Sequence, residues 1–122
     1  MNSKVTMALR IILGLVLIIF GANKFAGFMP SPELAGDAAT FMGALVGAGY
    51  FTILGVLEIV IGLLLILNKW VPFALILLAP LAVNFLIFHL TYDTAGMGPA
   101  ALVSLLTIVL LYANKEKFKT LF

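Results

Sequence analysis

Four long apolar segments limit what this chain can fold into. They cover residues 5–23, 50–68, 71–90 and 98–113, and each is close to the roughly 20 residues that a membrane-spanning helix needs. Hydrophobic residues make up 64% of the sequence and charged residues 10%, against about 25% charged in soluble domains. So few charges could not cover the apolar surface of a soluble fold. The sequence therefore predicts a single all-α membrane domain over residues 1–122, a four-transmembrane-helix antiparallel bundle.

The connection between the first two spans predicts a helix of its own at about residues 32–46. Ser31 suits the N-cap, and Glu33 follows where the helix dipole favours a negative charge. Apolar residues recur at helical spacing after it, but they are too few for a span. The segment is predicted to be an interfacial amphipathic helix between helices 1 and 2, ended by Gly47 and Gly49.

The distribution of Lys and Arg predicts the orientation in the membrane. If the N-terminus is cytoplasmic, the positive residues on the cytoplasmic side are Lys4, Arg10, Lys69, Lys115, Lys117 and Lys119. Lys24 alone falls on the outer side. We therefore expect a multi-pass protein of the cell (inner) membrane, with the N- and C-termini both cytoplasmic.

Composition also narrows the chemistry. The sequence has no cysteine, which excludes disulfides, thiol relays and Cys-ligated metals. Its net charge of +2 gives no support for a nucleic-acid partner, since topology explains the positive residues. The lipid bilayer is the predicted partner, and apolar faces on every helix permit either a monomer or a homodimer.

The second apolar segment contains one charged residue, Glu58, within the stretch LGVLEIVIGLLLIL. A carboxylate at the centre of a membrane helix costs a few kcal/mol even on the membrane-insertion scale, which gives the smallest penalty. Gly55 and Gly62 share its helix face, and glycines let a neighbouring helix approach closely. Glu58 is therefore predicted to face the bundle interior and to mark a functional site.

The first segment presents a complementary face toward this carboxylate. Residues at steps of four and three form one stripe: Arg10, Gly14, Leu17, Gly21 and Lys24. Arg10 is nearer to Glu58 in height, whereas Lys24 leans toward it, because side chains lean toward the N-terminus of their own helix. The sequence leaves open which cation pairs with Glu58.

Three further polar residues extend the predicted site toward the outer face. They are Asn23 beside Lys24, Asn84 within the third segment and His89 near its end. Together with Glu58 and a cation, they are predicted to form a polar column from mid-membrane to the outer surface. The amphipathic helix would cover its mouth.

Each of these residues also has a simpler interpretation. Arg10 and Lys24 could extend to the two opposite membrane–water interfaces. Asn84 could serve only to hold neighbouring helices together by hydrogen bonding. His89 could be satisfied by Asp93, four residues further on. The buried carboxylate itself could belong to a purely structural ion pair.

The order of these motifs resembles the DoxX-like family of small membrane proteins. The resemblance rests on a first helix with Arg10 that closes on FGANKF, a second with LEIVIGLLLIL, the turn NKW, and a third helix ending in His89. It implies a four-helix membrane bundle. It also implies an accessory subunit of a quinone-linked or oxidative-stress-linked oxidoreductase system, with a membrane or soluble oxidoreductase as partner.

The favoured hypothesis is therefore a non-catalytic accessory or ligand-binding subunit. Its ligand would be a small amphipathic molecule such as a quinone, held by Glu58 with Arg10 or Lys24. The sequence predicts no catalytic residue, no metal site and no required cofactor; a quinone is the candidate ligand. A small proton-coupled transporter and a purely structural or assembly partner are the alternatives.

Overall fold

A computed structural model describes residues 2–27, 34–92, 94 and 97–121. The described residues form five α-helices and a C-terminal 3₁₀ segment: α1 (Ser3–Ala26), α2 (Gly36–Gly47), α3 (Tyr50–Leu67), α4 (Val71–Tyr92), α5 (Met97–Ala113) and the 3₁₀ segment (Lys115–Leu121). Their positions agree closely with the predicted segments, except at the beginning of α2. The all-helical architecture is compatible with a membrane helical bundle.

Three of these helices, α1, α3 and α4, are long and apolar enough to cross a membrane. The fourth candidate, α5, is apolar but has 17 residues. At 1.5 Å per residue that is about 26 Å, somewhat less than the hydrocarbon thickness of about 30 Å. The count of four spans therefore stays a prediction.

The beginning of α2 was predicted wrongly. The helix begins at Gly36, not near residue 32, because Ala35 is extended and Gly36 has a φ of 60°. This left-handed conformation is one that glycine adopts without strain. The predicted cap, Ser31, and Glu33 lie outside the described residues. At its other end the helix stops as predicted, with Gly49 at a φ of 84°.

The helices α1 and α3 pack with their backbones in direct contact. A Cβ atom built on Gly62 would lie 2.6 Å from the carbonyl oxygen of Gly14, and one on Gly21 would lie 2.8 Å from that of Gly55. Both distances are too short for any real side chain. The predicted pairing of two glycine faces is therefore confirmed, and it sets the register between α1 and α3.

A tight turn joins α3 to α4, as the short NKW connection predicted. Asn68 ends α3 in the left-handed conformation, with a φ of 56°, and Trp70 has a φ of 50°. The amide of Lys69 donates to the carbonyl of Leu64 at 3.0 Å, which closes the last turn of the helix. The turn makes α3 and α4 antiparallel.

The core lies between α1, α3, α4 and α5. Its completely buried aliphatic side chains are Leu13, Leu17, Ile61, Leu65, Leu75, Leu78 and Leu110. Large aliphatic and aromatic side chains are exposed along the outer faces of the same helices. An apolar exterior around an apolar core is typical of a helical protein that is embedded in a lipid bilayer.

Replacing Gly62 by Ala tests the backbone contact between α1 and α3. The added methyl group has no space against Gly14, so we expect the free energy of unfolding to fall by about 1–3 kcal/mol. The free energy of unfolding is measured by following helicity while the detergent-solubilised protein is titrated with a denaturing detergent. Gly43→Ala in α2 is the matched control, because nothing lies within 4 Å of its added Cβ. Equal stability of the two variants would contradict the importance of the contact.

Candidate functional site

Glu58 lies in the middle of α3 and is almost completely buried, with 1% of its surface exposed. The helix brings it to the face that also carries Gly55 and Gly62, against α1. A Cβ atom on Gly21 would lie 3.1 Å from the Cβ of Glu58, so the backbone of α1 passes directly beside the carboxylate. The predicted inward orientation of Glu58 is confirmed.

Lys24 is the cation that pairs with Glu58. Its Nζ atom lies 2.7 Å from Oε1, and the two side chains are 15% and 2% exposed. Lys24 follows Gly21 by almost one turn, and α1 and α3 are antiparallel. Each side chain leans toward the N-terminus of its own helix, so the two lean toward each other. The contact of Gly21 with Gly55 also places Lys24 about 9 Å and Arg10 about 12 Å from Glu58 along the helix axes. Direction and register thus both favour Lys24, and the expectation that Arg10 is nearer in height was wrong.

The contact between Lys24 and Glu58 is a charge-assisted hydrogen bond as well as an ion pair, since 2.7 Å is a normal distance between an ammonium nitrogen and a carboxylate oxygen. The carboxylate of Glu58 is buried, and Lys24 is its charged partner. A carboxylate oxygen can accept more than one hydrogen bond. The pair can therefore also accept from a hydroxyl group or water that enters the site.

Phe51 supplies an aromatic wall on the other side of Lys24. The Nζ atom lies 5.1 Å from the centre of the Phe51 ring, within the range of a cation–π interaction. Phe51 was not among the residues predicted for the site. The available signal was its position two turns before Glu58, on the face where Lys24 had to lie.

Arg10 has a different task at the opposite end of the α1–α3 contact. Its guanidinium is buried and donates to the carbonyls of Leu65 and Ile66, the second at 3.3 Å. Carbonyls in the last turn of a helix have no partner within the helix. Arg10 therefore caps the C-terminus of α3, where a positive charge also favours the helix dipole.

Asn84 is not brought to the ion pair. It is exposed on the outer surface of α4, and its side-chain amide donates to the carbonyl of Pro80 at 2.9 Å. Hydrogen bonding to the carbonyl one turn earlier is a common way to satisfy a polar side chain in an apolar environment. Its predicted place in a polar column has no support in these contacts.

His89 belongs to an aromatic cluster at the end of α4. Its ring lies edge-on to Phe88 at 5.3 Å, and the Phe41 ring of α2 stacks on Phe88 at 5.7 Å and on Tyr92 at 5.8 Å. This cluster attaches α2 to the end of the bundle where α1 ends and α3 begins. The predicted partner of His89, Asp93, lies outside the described residues.

Asn23 is half-buried near the end of α1, next to Lys24 in sequence. It makes an interaction of its own, as His89 does. Among the residues that the structure describes, no three side chains of the metal-binding types lie close enough to hold an ion. The candidate site among the described residues is thus the Glu58–Lys24 pair with Phe51.

Comparison with known families places the chain beside one of them. The family model described as DoxX matches residues 5–90, which is more than half of the chain. The match runs from the beginning of α1 almost to the end of α4 and includes Arg10, Lys24, Glu58 and His89. No curated protein and no solved structure matches the chain.

Replacing Arg10 by Leu tests its role as a cap of α3. Loss of a charged donor from two buried carbonyls should lower the free energy of unfolding by about 1.5–3 kcal/mol. Lys4→Leu, an exposed cation on the same helix, should change it by less than about 0.5 kcal/mol. Detergent-denaturation curves of the two variants provide the comparison. Curves that superimpose would exclude the capping role.

Proposed function

We propose, from the premise that this chain belongs to the DoxX family, that it is a non-catalytic accessory subunit of a membrane oxidoreductase or oxidative-stress system. In this proposal the chain binds a small amphipathic, quinone-like ligand beside the Glu58–Lys24 pair. The observation that carries the proposal is an ion pair buried among apolar helices, in which the carboxylate of Glu58 contacts Lys24 at 2.7 Å and the lysine side chain is still 15% exposed.

The chemistry of the three side chains suits a quinone. The Lys24 ammonium can donate to a quinone carbonyl, and Oε1 of Glu58 can accept from the hydroxyl of the reduced form. The face of Phe51 can pack on a planar ring, while the apolar surfaces of α1 and α3 receive a hydrocarbon tail. Polar groups of this kind fix the orientation of a ligand in a mainly apolar site.

The proposal assigns ligand binding to this chain and electron transfer to its partner. The side chains of Glu58 and Lys24 are not electron donors. Reduction of a quinone takes two electrons and two protons, so an oxidoreductase partner must supply the electrons. The exposed apolar faces of the helices are where a membrane partner would pack.

We place the end of the bundle where α1 begins on the cytoplasmic side of the cell membrane. Lys4, Lys69 and Lys115 lie at this end, at the beginning of α1, in the turn after α3 and after α5. The excess of positive charge on cytoplasmic segments supports this orientation. The ligand site then opens toward the outer half of the membrane.

A structural or assembly role is the second candidate, and one observation favours it. Glu58 is 1% exposed, so the carboxylate of the pair is closed to its surroundings. A buried pair can specify helix register without binding anything. The two candidates differ in what happens when the pair is removed, which allows a direct test.

Glu58→Gln tests the proposed ligand site while keeping the size of the side chain. Loss of the charged acceptor should weaken binding of a short-chain ubiquinone analogue by about 10- to 100-fold. Calorimetric titration in detergent micelles measures the dissociation constant. Glu116→Gln, which changes an exposed carboxylate in the C-terminal segment, should leave it unchanged. If the Glu58 variant binds the quinone analogue with the same dissociation constant as the native protein, the proposal is wrong.

The double variant Lys24→Met/Glu58→Leu separates binding from structure. Exchange of a buried ion pair for apolar side chains should leave the free energy of unfolding equal or higher, whereas Lys24→Met alone should lower it by about 3–5 kcal/mol. If the pair binds a ligand, the stable double variant loses quinone binding and fails to restore activity in cells lacking the protein. Full restoration by the double variant would support the structural role instead.

A further inference from the structure

An open apolar groove lies at the opposite end of the bundle from the Glu58 site. It is formed by the beginning of α4, the end of α5 and the 3₁₀ segment, and its volume is about 680 Å³. Ile76 and Ala79 line one wall, and Leu111 and Tyr112 line the other. This volume is in the usual range for sites that bind small molecules in proteins.

The groove begins at the level of the membrane surface and extends into the apolar region. Ile76 and Ala79 lie about 8 Å and 12 Å along α4 from Val71, where the helix begins. The side chains that line the groove there are almost entirely apolar. A hydrocarbon chain is therefore the chemical group that the deeper part of the groove fits.

The 3₁₀ segment places lysines at the mouth of the groove. Phe118 is half-buried and packs against the hydrophobic core, so the segment folds back across the end of the bundle. Lys115 and Lys119 consequently line the groove. From sequence alone the lysines of this segment were assigned only to membrane topology.

The charge at the mouth favours an anion. Residues 115–119 contain three lysines and one glutamate. Lys115 rests on the Tyr112 ring, with Nζ 4.4 Å from its centre, and Lys119 pairs with Glu116 at 2.6 Å. Both members of the latter pair are about two-thirds exposed or more, and such pairs are weak, so a phosphate can compete for Lys119.

We propose that this groove is a binding site for one anionic glycerophospholipid of the adjoining leaflet. An acyl chain lies against α4 and α5, and the phosphate is held by Lys115 and Lys119. Basic pockets next to membrane helices bind acidic head groups in this manner, and tyrosine is enriched at the same depth. The occupant is argued from the match between apolar walls, a basic mouth and the two parts of such a lipid.

The test is native mass spectrometry of the full chain in detergent, titrated with phosphatidylglycerol or with phosphatidylcholine of the same acyl chains. The native protein should prefer phosphatidylglycerol. The double variant Lys115→Gln/Lys119→Gln should bind it about 30-fold more weakly, since each lysine near the surface contributes about 1 kcal/mol. Lys4→Gln/Lys69→Gln is the matched control with two exposed lysines elsewhere, and it should bind normally.

A second variant tests the apolar part of the groove. Ala79→Phe fills it without changing any charge, and we expect a loss of phosphatidylglycerol binding with unchanged helicity. Equal binding of the two lipids, or equal weakening in both lysine variants, would overturn the proposal. So would full affinity in Ala79→Phe, which would indicate a purely electrostatic association at the surface. A groove filled by a second copy of the chain would give lipid-free dimers and would also overturn it.

Discussion

The backbone contact between α1 and α3 is the constraint on which the remaining polar chemistry depends. Glycines at facing positions allow the carbonyl of one helix to approach the Cα atoms of the other without a side chain between them. Without a hydrophobic force between helices in lipid, close packing and polar contacts must hold them together. The register set by this contact determines which charged side chains meet.

Because of this register, two cations of α1 contact different partners. At one end of the contact, Lys24 reaches the carboxylate of Glu58, and at the other end Arg10 reaches the open carbonyls of α3. A flexible ammonium suits a single buried oxygen, whereas a guanidinium can donate to two neighbouring carbonyls at once. The same glycine stripe therefore carries a helix cap at one end and a candidate binding site at the other.

Two peripheral elements complete the ends of the bundle. At the end near Glu58, Phe41 of α2 stacks on aromatic side chains of α4, which holds α2 against the bundle. At the opposite end, Phe118 packs against the core and sets lysines beside an apolar groove. Both elements are attached by aromatic side chains from otherwise polar or weakly apolar segments. The C-terminal segment thus borders the proposed lipid groove.

Much of the fold could be predicted from the sequence because lipid leaves few alternatives. Long apolar segments must be helical to satisfy their backbone hydrogen bonds, and short connections must join antiparallel neighbours. The inward orientation of Glu58 and the paired glycine faces followed from helical periodicity alone. The beginning of α2 did not follow, since it depends on the backbone conformation of Ala35 and Gly36.

The sequence by itself determined that this is a helical membrane protein with one buried carboxylate, two cations available to it and the motifs of the DoxX family. Only the tertiary structure decided that Lys24 pairs with Glu58, that Arg10 caps α3, that Asn84 bonds to its own helix and that Phe118 packs against the core. The physical reason is the same in each case. Periodicity assigns a residue to a helix face, but the partner on that face depends on register and on the direction in which each side chain leans.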